Sequence, residues 1–452
     1  PHPTTPIINY QLSTINYQLS TIMHPHIWYP YTQAKTASEP IEVKSAQGLW
    51  LELADGRKIA DCISSWWVNL HGHAHPQIVE AIARQAAQLE QVIFAGFTHA
   101  PAQQLASQLV ARLPENLTRV FYSDNGSTAV EVALKMAYQY WANRSTPRQR
   151  FMAFEGAYHG DTFGTMAVGA RSLFSEVFQD LLFEVDFCPY PATWDGDLEA
   201  IDKEANCLEI IRQNLTSHPN CYAGIIIEPL VQGAGGMRMC SSEFLRQLRE
   251  LATEFDTLLI FDEVMTGFGR TGADFACNRA QMQPDLICLS KGITGGFLPL
   301  AVTVATEDIY ESFYSDDPTK TLYHGHSYTA NPLGCAAALA SLELLTQNQP
   351  AYTQMEFWHR QHLTELANKY PQLTKLRVMG TIAAIDINNQ EQAGYLNNVG
   401  RKIGHHAIAH DVLLRPLGNV LYLMPPYCIT EAELAWVYTQ IDRVLDKVLD
   451  RP

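Results

Sequence analysis

The nine cysteines of this chain form no Cys-x-x-Cys pair, which excludes a zinc ribbon and a dithiol redox centre. An odd number of unclustered thiols fits reduced, mostly buried cysteines in a cytoplasmic protein. There is no apolar run of about 18 residues, so no transmembrane helix is expected. The N-terminus lacks a cationic start followed by an apolar stretch, and no secretory leader is expected. Cations are scarce: 31 Lys and Arg stand against 47 Asp and Glu, a net charge of -16. That balance argues against non-specific nucleic-acid binding and favours solubility. A Gly-x-x-x-x-Gly-Lys-Ser/Thr loop is also missing, which weakens any nucleotide–metal reading.

What remains is an ordinary globular composition, 47% hydrophobic and 17% charged over 452 residues. The length suits a large domain plus a smaller one. Near the start, Ile8-Asn-Tyr-Gln-Leu-Ser-Thr14 recurs at 15–21. Two seven-residue copies are too few and too short for a repeat fold. Residues 1–22 are therefore expected to be a disordered or non-native tail, with Met23 as the natural start. From residue 76 to about 345, amphipathic helical stretches alternate with short apolar runs, including Val120-Phe-Tyr, Phe151-Met-Ala-Phe, Gly224-Ile-Ile-Ile, Thr257-Leu-Leu-Ile-Phe and Leu286-Ile-Cys-Leu. This alternation predicts a large α/β domain over 76–345 with a mainly parallel sheet covered on both faces. Residues 346–452 read as a smaller α+β domain. A hairpin around Asp55-Gly56 predicts that 23–75 joins it.

In parallel sheets, ligands bind beyond the carboxyl ends of the strands, and chemistry-bearing residues follow four of the runs. Gly126 and Ser127 open a helix, where free amides favour a phosphate, although the same residues suit an ordinary helix cap. Tyr158, His159 and Asp161 lie in a glycine-containing turn, where the tyrosine could stack on a flat ring. Asp262-Glu263 ends an apolar run, and a buried carboxylate needs a positive partner, either a protonated ring nitrogen or a metal ion. Lys291 ends another run and precedes a glycine-rich turn, so burial would make its amine neutral and nucleophilic. The four together are the parts that a pyridoxal phosphate site requires.

The order and spacing of Ile227-Glu-Pro-Leu-Val-Gln-Gly-Ala-Gly-Gly236, Phe261-Asp-Glu-Val-Met-Thr-Gly-Phe-Gly-Arg-Thr-Gly272, Lys291 and Gly295-Gly296 resemble the class III aminotransferases. The resemblance covers about residues 26–450. It implies fold type I, with a mainly parallel seven-stranded sheet flanked by helices and a smaller α+β domain. It also implies pyridoxal 5'-phosphate as cofactor and a homodimer with shared active sites. Lys291 would bond the cofactor aldehyde and move the proton, and Asp262 would meet the pyridine nitrogen. Val264 and Tyr158 would take opposite faces of the ring, and Gly126 and Ser127 would hold the phosphate. Ser327 would reach the phosphate of the neighbouring subunit.

Within the class, the chain is most similar to the branch that aminates 8-amino-7-oxononanoate with S-adenosylmethionine as donor in biotin synthesis. His26-Ile-Trp-Tyr-Pro-Tyr31, Ser64-Ser-Trp66-Trp67, Gly233-Ala-Gly-Gly-Met-Arg-Met and Arg415-Pro-Leu-Gly-Asn carry that likeness. It implies a substrate pocket shaped by Tyr31, Trp66, Trp67, Tyr158 and Asp161. Arg415 would bind the keto-acid carboxylate, and Gly325 and His326 would lie near the pocket. Ala234 and Met265 stand where ω-aminotransferases of the class carry Glu and Gln, which argues against that branch. Gly325-His326-Ser327 departs from the Gly-Pro-Thr common in the biotin branch, although Ser327 keeps a hydroxyl. Lysine or another amine as donor, an aminomutase activity and a non-catalytic cofactor-binding domain remain as alternatives. Removal of residues 1–22 is expected to leave melting temperature and activity unchanged in a thermal scan and a turnover assay.

Overall fold

The computed structural model describes residues 24–449 except 173, 390, 391 and 395. The expected tail over 1–22 and the start at Met23 lie outside the described residues. Seven strands form the central sheet, in the spatial order Leu117–Ser123, Ala301–Thr306, Leu286–Leu289, Leu258–Asp262, Tyr222–Ile227, Arg150–Phe154 and Val185–Cys188. Only Ala301–Thr306 runs antiparallel to its neighbours. The chain therefore has the mainly parallel seven-stranded sheet of fold type I.

Alternate residues of the central strands enter two different cores. Ile225, Ile227, Leu259 and Phe261 pack into one, and Ile226, Leu258 and Ile260 pack into the other. Burial on both faces is why these strands read as unbroken apolar runs. On one side lies the helix Gly126–Asn143, which buries Val130, Ala133, Leu134 and Ala137. On the other lies Ser242–Glu254, which buries Phe244, Leu245 and Leu248.

Val43–Gln47, Trp50–Leu53 and Lys58–Asp61 form an antiparallel meander, and Val412–Leu413 pairs in parallel with its last strand. Asp55-Gly56 makes the turn between the second and third strands, with Gly56 at a φ of 88°. Leu373–Met379, Ile382–Ile387 and Val420–Leu423 form a separate three-stranded sheet.

The segment after the meander bends sharply. Ser64, Ser65, Trp66 and Trp67 all have positive φ, between 48° and 77°. Left-handed non-glycine residues cost roughly 1–2 kcal/mol each, and local hydrogen bonds offset the cost. Ser64 Oγ donates to the Met424 carbonyl at 2.7 Å, and Ser65 Oγ donates to Asp61 at 2.7 Å. The guanidinium of Arg270 is fully buried beside this turn. It donates to the carbonyls of Pro425 at 3.0 Å, Asn69 at 3.1 Å and Trp67 at 3.4 Å. Arg270→Met should strand those buried acceptors and lower unfolding free energy by about 3 kcal/mol in urea titration.

Candidate active site

Six of the seven strands point their carboxyl ends to one edge of the sheet, and the expected cofactor residues gather there. Ser290 follows Leu286–Leu289 and donates to the Leu300 carbonyl at 2.9 Å. The next residue, Lys291, turns the chain with a φ of 43°. Lys291 lines two cavities, one of about 490 Å³ and one of about 940 Å³. Its amine stands 5.3 Å from the centroid of the Trp67 ring. Burial lowers its affinity for a proton, opposed by the carboxylates of Asp262 and Glu228. A neutral amine is the form that attacks an aldehyde.

Asp262 closes Leu258–Asp262 and is 4% exposed. One of its oxygens lies 2.7 Å from Nδ1 of buried His159, and the other accepts the Val264 N–H at 3.0 Å. Because the carboxylate accepts, Nδ1 of His159 carries the proton. Glu263 takes a different direction and accepts the N–H groups of Ala276 at 2.6 Å and Cys277 at 2.8 Å. The two adjacent carboxylates therefore do not converge as a metal pair would.

The small cavity has a narrow floor. Asn125 caps the helix Gly126–Asn143, its side chain accepting from Thr128 N–H at 3.0 Å. A Cβ on Gly126 would come within 2.7 Å of the Val264 side chain. Gly160, at a φ of 133°, lies against the Ser127 side chain, and Asp161 N–H donates to Ser127 Oγ at 3.3 Å. Gly126, Ser127, Tyr158, Asp262, Val264 and Lys291 all line this cavity. Amides at a helix start beside close-packed glycine form a cradle for a phosphate.

The large cavity brings together Tyr31, Trp66, Trp67, Tyr158, Asp161 and Arg415. Tyr31 donates its hydroxyl to Asp161 and lies 3.4 Å from the Tyr158 hydroxyl. Burial, the Tyr31 hydroxyl and the Asp161 charge all hold the Tyr158 phenol protonated. The two tryptophans divide their roles. Trp66 is 41% exposed and packs edge-to-face on Tyr31, with ring centroids 5.6 Å apart. Trp67 is 4% exposed and donates to the Tyr422 hydroxyl at 3.0 Å. The Arg415 guanidinium lies 4.9 Å from the Trp66 centroid, with no carboxylate in ion-pair range among the described residues. Gly325, His326 and Ser327 line neither cavity of this chain. The Ser327 carbonyl instead accepts from Gln91 at 2.8 Å.

The profile of the family described as Aminotransferase class-III matches residues 31–445. The chain belongs to the class III aminotransferases. It is 60% identical to the adenosylmethionine-8-amino-7-oxononanoate aminotransferase of Synechococcus elongatus, covering 94% of this chain and 99% of that one. It is 40% identical to the enzyme of that name from Geobacter sulfurreducens, over 94% and 96% of the two chains. The crystal structure of the Methanocaldococcus jannaschii enzyme of that name superposes with a TM-score of 0.87 at 34% identity, covering 94% of this chain and 98% of that one. An amine transaminase from an uncultivated Pseudomonas species, in its PLP-bound form, superposes with a TM-score of 0.88 at 28% identity, over 94% and 99%.

Pyridoxal 5'-phosphate is the cofactor of class III aminotransferases, and the small cavity fits it. The cradle at Gly126 suits the phosphate, buried Asp262 suits a ring N–H, and Lys291 opens from this cavity into the larger one. Reading the sequence missed the partner of Asp262, which is His159, and the buried carboxylate of Glu228. An Asp placed after an apolar strand signals a positive partner without saying which residue supplies it. Gly126→Ala is expected to weaken cofactor binding about 10-fold, as close-packed sites resist an added methyl group. Titration of cofactor-free protein by absorbance measures this. Lys291→Ala should abolish the visible absorbance of the lysine-bound cofactor, and a retained band would reassign that lysine.

Proposed function

We propose that the chain transfers the amino group of S-adenosylmethionine to the keto group of 8-amino-7-oxononanoate, giving 7,8-diaminononanoate in biotin synthesis. The observation that carries this reading is the large cavity, which extends from Lys291 to the exposed, carboxylate-free guanidinium of Arg415. Aromatic walls suit an alkyl chain, and a guanidinium pairs with a carboxylate through two parallel hydrogen bonds. The likeness to enzymes of that name supports the same reading.

When bound, pyridoxal phosphate supplies an aldehyde and an electron-withdrawing ring that accommodates charge left on the substrate carbon. Gly126 and Ser127 would hold its phosphate. Asp262, aimed by His159 and the Val264 N–H, would hold a proton on the ring nitrogen. Tyr158 and Val264 would hold the ring from either side. Lys291 would take the proton from the substrate carbon and return it on the other side of the transferred nitrogen, acting as base and then acid. The Tyr31–Asp161 pair would face the cationic donor, and Arg415 would fix the acceptor at its far end. The two substrates take turns in one cavity.

Gly325, His326 and Ser327 lie away from both cavities of their own chain. This supports a homodimer in which the partner subunit's Ser327 reaches the phosphate site. The nine free cysteines suit a reducing compartment such as the cytoplasm. No helix among the described residues is long and apolar enough to cross a membrane.

Mixing the yellow protein with S-adenosylmethionine alone should bleach the visible band, and 8-amino-7-oxononanoate should restore it. Bleaching by lysine and not by S-adenosylmethionine would reject the donor. Arg415→Ala should raise KM for the keto acid about 10- to 100-fold, the loss of a charged hydrogen bond. KM for the donor should change far less, and an equal rise in both would reject the carboxylate role.

A further inference from the structure

Glu228 has no part in the chemistry assigned so far. It directly follows the strand Tyr222–Ile227, is 5% exposed, and lines the small cavity together with Lys291, Asp262 and His159. Two backbone N–H groups donate to it, Tyr158 at 3.0 Å to one oxygen and Gly233 at 2.9 Å to the other. These donors select a carboxylate. A glutamine would satisfy one N–H and turn its own NH2 towards the second. Among the described residues, no lysine, arginine or histidine comes within ion-pair distance of Glu228. A buried carboxylate without a cation is costly, and burial raises its proton affinity to about 7, with Asp262 adding to the rise and His159 opposing it.

The charged and titratable groups facing Glu228 are few. His159 comes from the loop after Arg150–Phe154, Asp262 from the end of Leu258–Asp262, Lys291 from the turn after Leu286–Leu289, and the buried Tyr190 phenol from the segment after Val185–Cys188. The neighbouring loop at 233–236 offers backbone only. Of the two carboxylates that act on Lys291, Asp262 is paired with His159 and, in the reading above, with the ring nitrogen of the cofactor. Glu228 is the one left to balance charge on the lysine nitrogen.

We propose that Glu228 is a positioning residue for transamination, whose negative charge, acting across the shared cavity rather than through a direct ion pair, favours the proton on the Lys291 nitrogen once that nitrogen is bonded to the cofactor. The inference rests on the cofactor role of Lys291. It keeps the lysine–cofactor link in the protonated form, which is the form an incoming amine attacks. An incoming amine would bond where Lys291 had been bonded, and the Lys291 nitrogen would leave as a neutral amine, having taken up the proton that the incoming nitrogen gives up. Glu228 thereby also ties the Tyr158 and Gly233 walls to the charge that the reaction uses.

The test compares wild-type and Glu228→Gln holoprotein by following the visible band of the lysine-bound cofactor against pH. Loss of one nearby negative charge should move the transition about one pH unit lower. If Glu228 merely ties the two walls together, the transition stays in place while KM changes, and the proposal falls. Should the glutamine variant fail to fold by circular dichroism, Glu228→Ala is titrated with and without acetate. A transition that returns towards the wild-type value as acetate fills the void supports the charge role, and one that ignores acetate overturns it. Absence of any visible band in the wild type would instead defeat the cofactor assignment of Lys291.

Discussion

A carboxylate buried at the end of an apolar strand sets the terms for this site. Asp262 is taken out of water by the same packing that buries Leu259, Ile260 and Phe261. An isolated buried charge is strongly disfavoured, so its two oxygens must be occupied. The Val264 N–H occupies one and the His159 imidazole the other. The loop carrying His159 must therefore come to the end of a strand two places away in the sheet. It brings Tyr158 and Asp161 with it, so part of the lining of both cavities follows from satisfying one anion.

The sheet supplies the rest of the geometry. Because its parallel strands end at one edge, residues more than 160 positions apart, such as Gly126 and Lys291, open on the same cavity. Lys291 lies where that cavity meets the larger one, so in the proposed reading a single amine would serve the cofactor on one side and substrates on the other. The left-handed turn at 64–67 contributes a different kind of constraint. Four successive residues at positive φ leave Trp66 partly exposed at the large cavity and bury Trp67 between the core and both cavities. This conformation holds because Asp61, Met424 and Arg270 bind the turn from three directions.

The strands of the central sheet and the lysine, aspartate and glycine at their ends were legible because each leaves a local mark. Parallel strands buried on both faces read as apolar runs, and a charged residue closing such a run stands out. The edge strand Val185–Cys188 and the antiparallel Ala301–Thr306 left no comparable mark among the runs first singled out. The tryptophan pair was visible as a pair, yet adjacent positions carry no signal of which ring faces solvent. Glu228 was visible within a motif, but its burial without a cation was not.

Apolar periodicity and the residues closing each run determined the α/β architecture and pointed to four candidate chemical centres, since burial and charge at a strand end are local properties of the chain. Tertiary structure alone decided that His159 is the partner of Asp262 and that Arg415 opens on the cavity with no carboxylate in ion-pair range among the described residues. It also decided that Gly325, His326 and Ser327 stay outside the pockets of their own chain. Those outcomes depend on distances between segments far apart in sequence, fixed by how the sheet orders its strands and by which polar groups must be satisfied once they are buried.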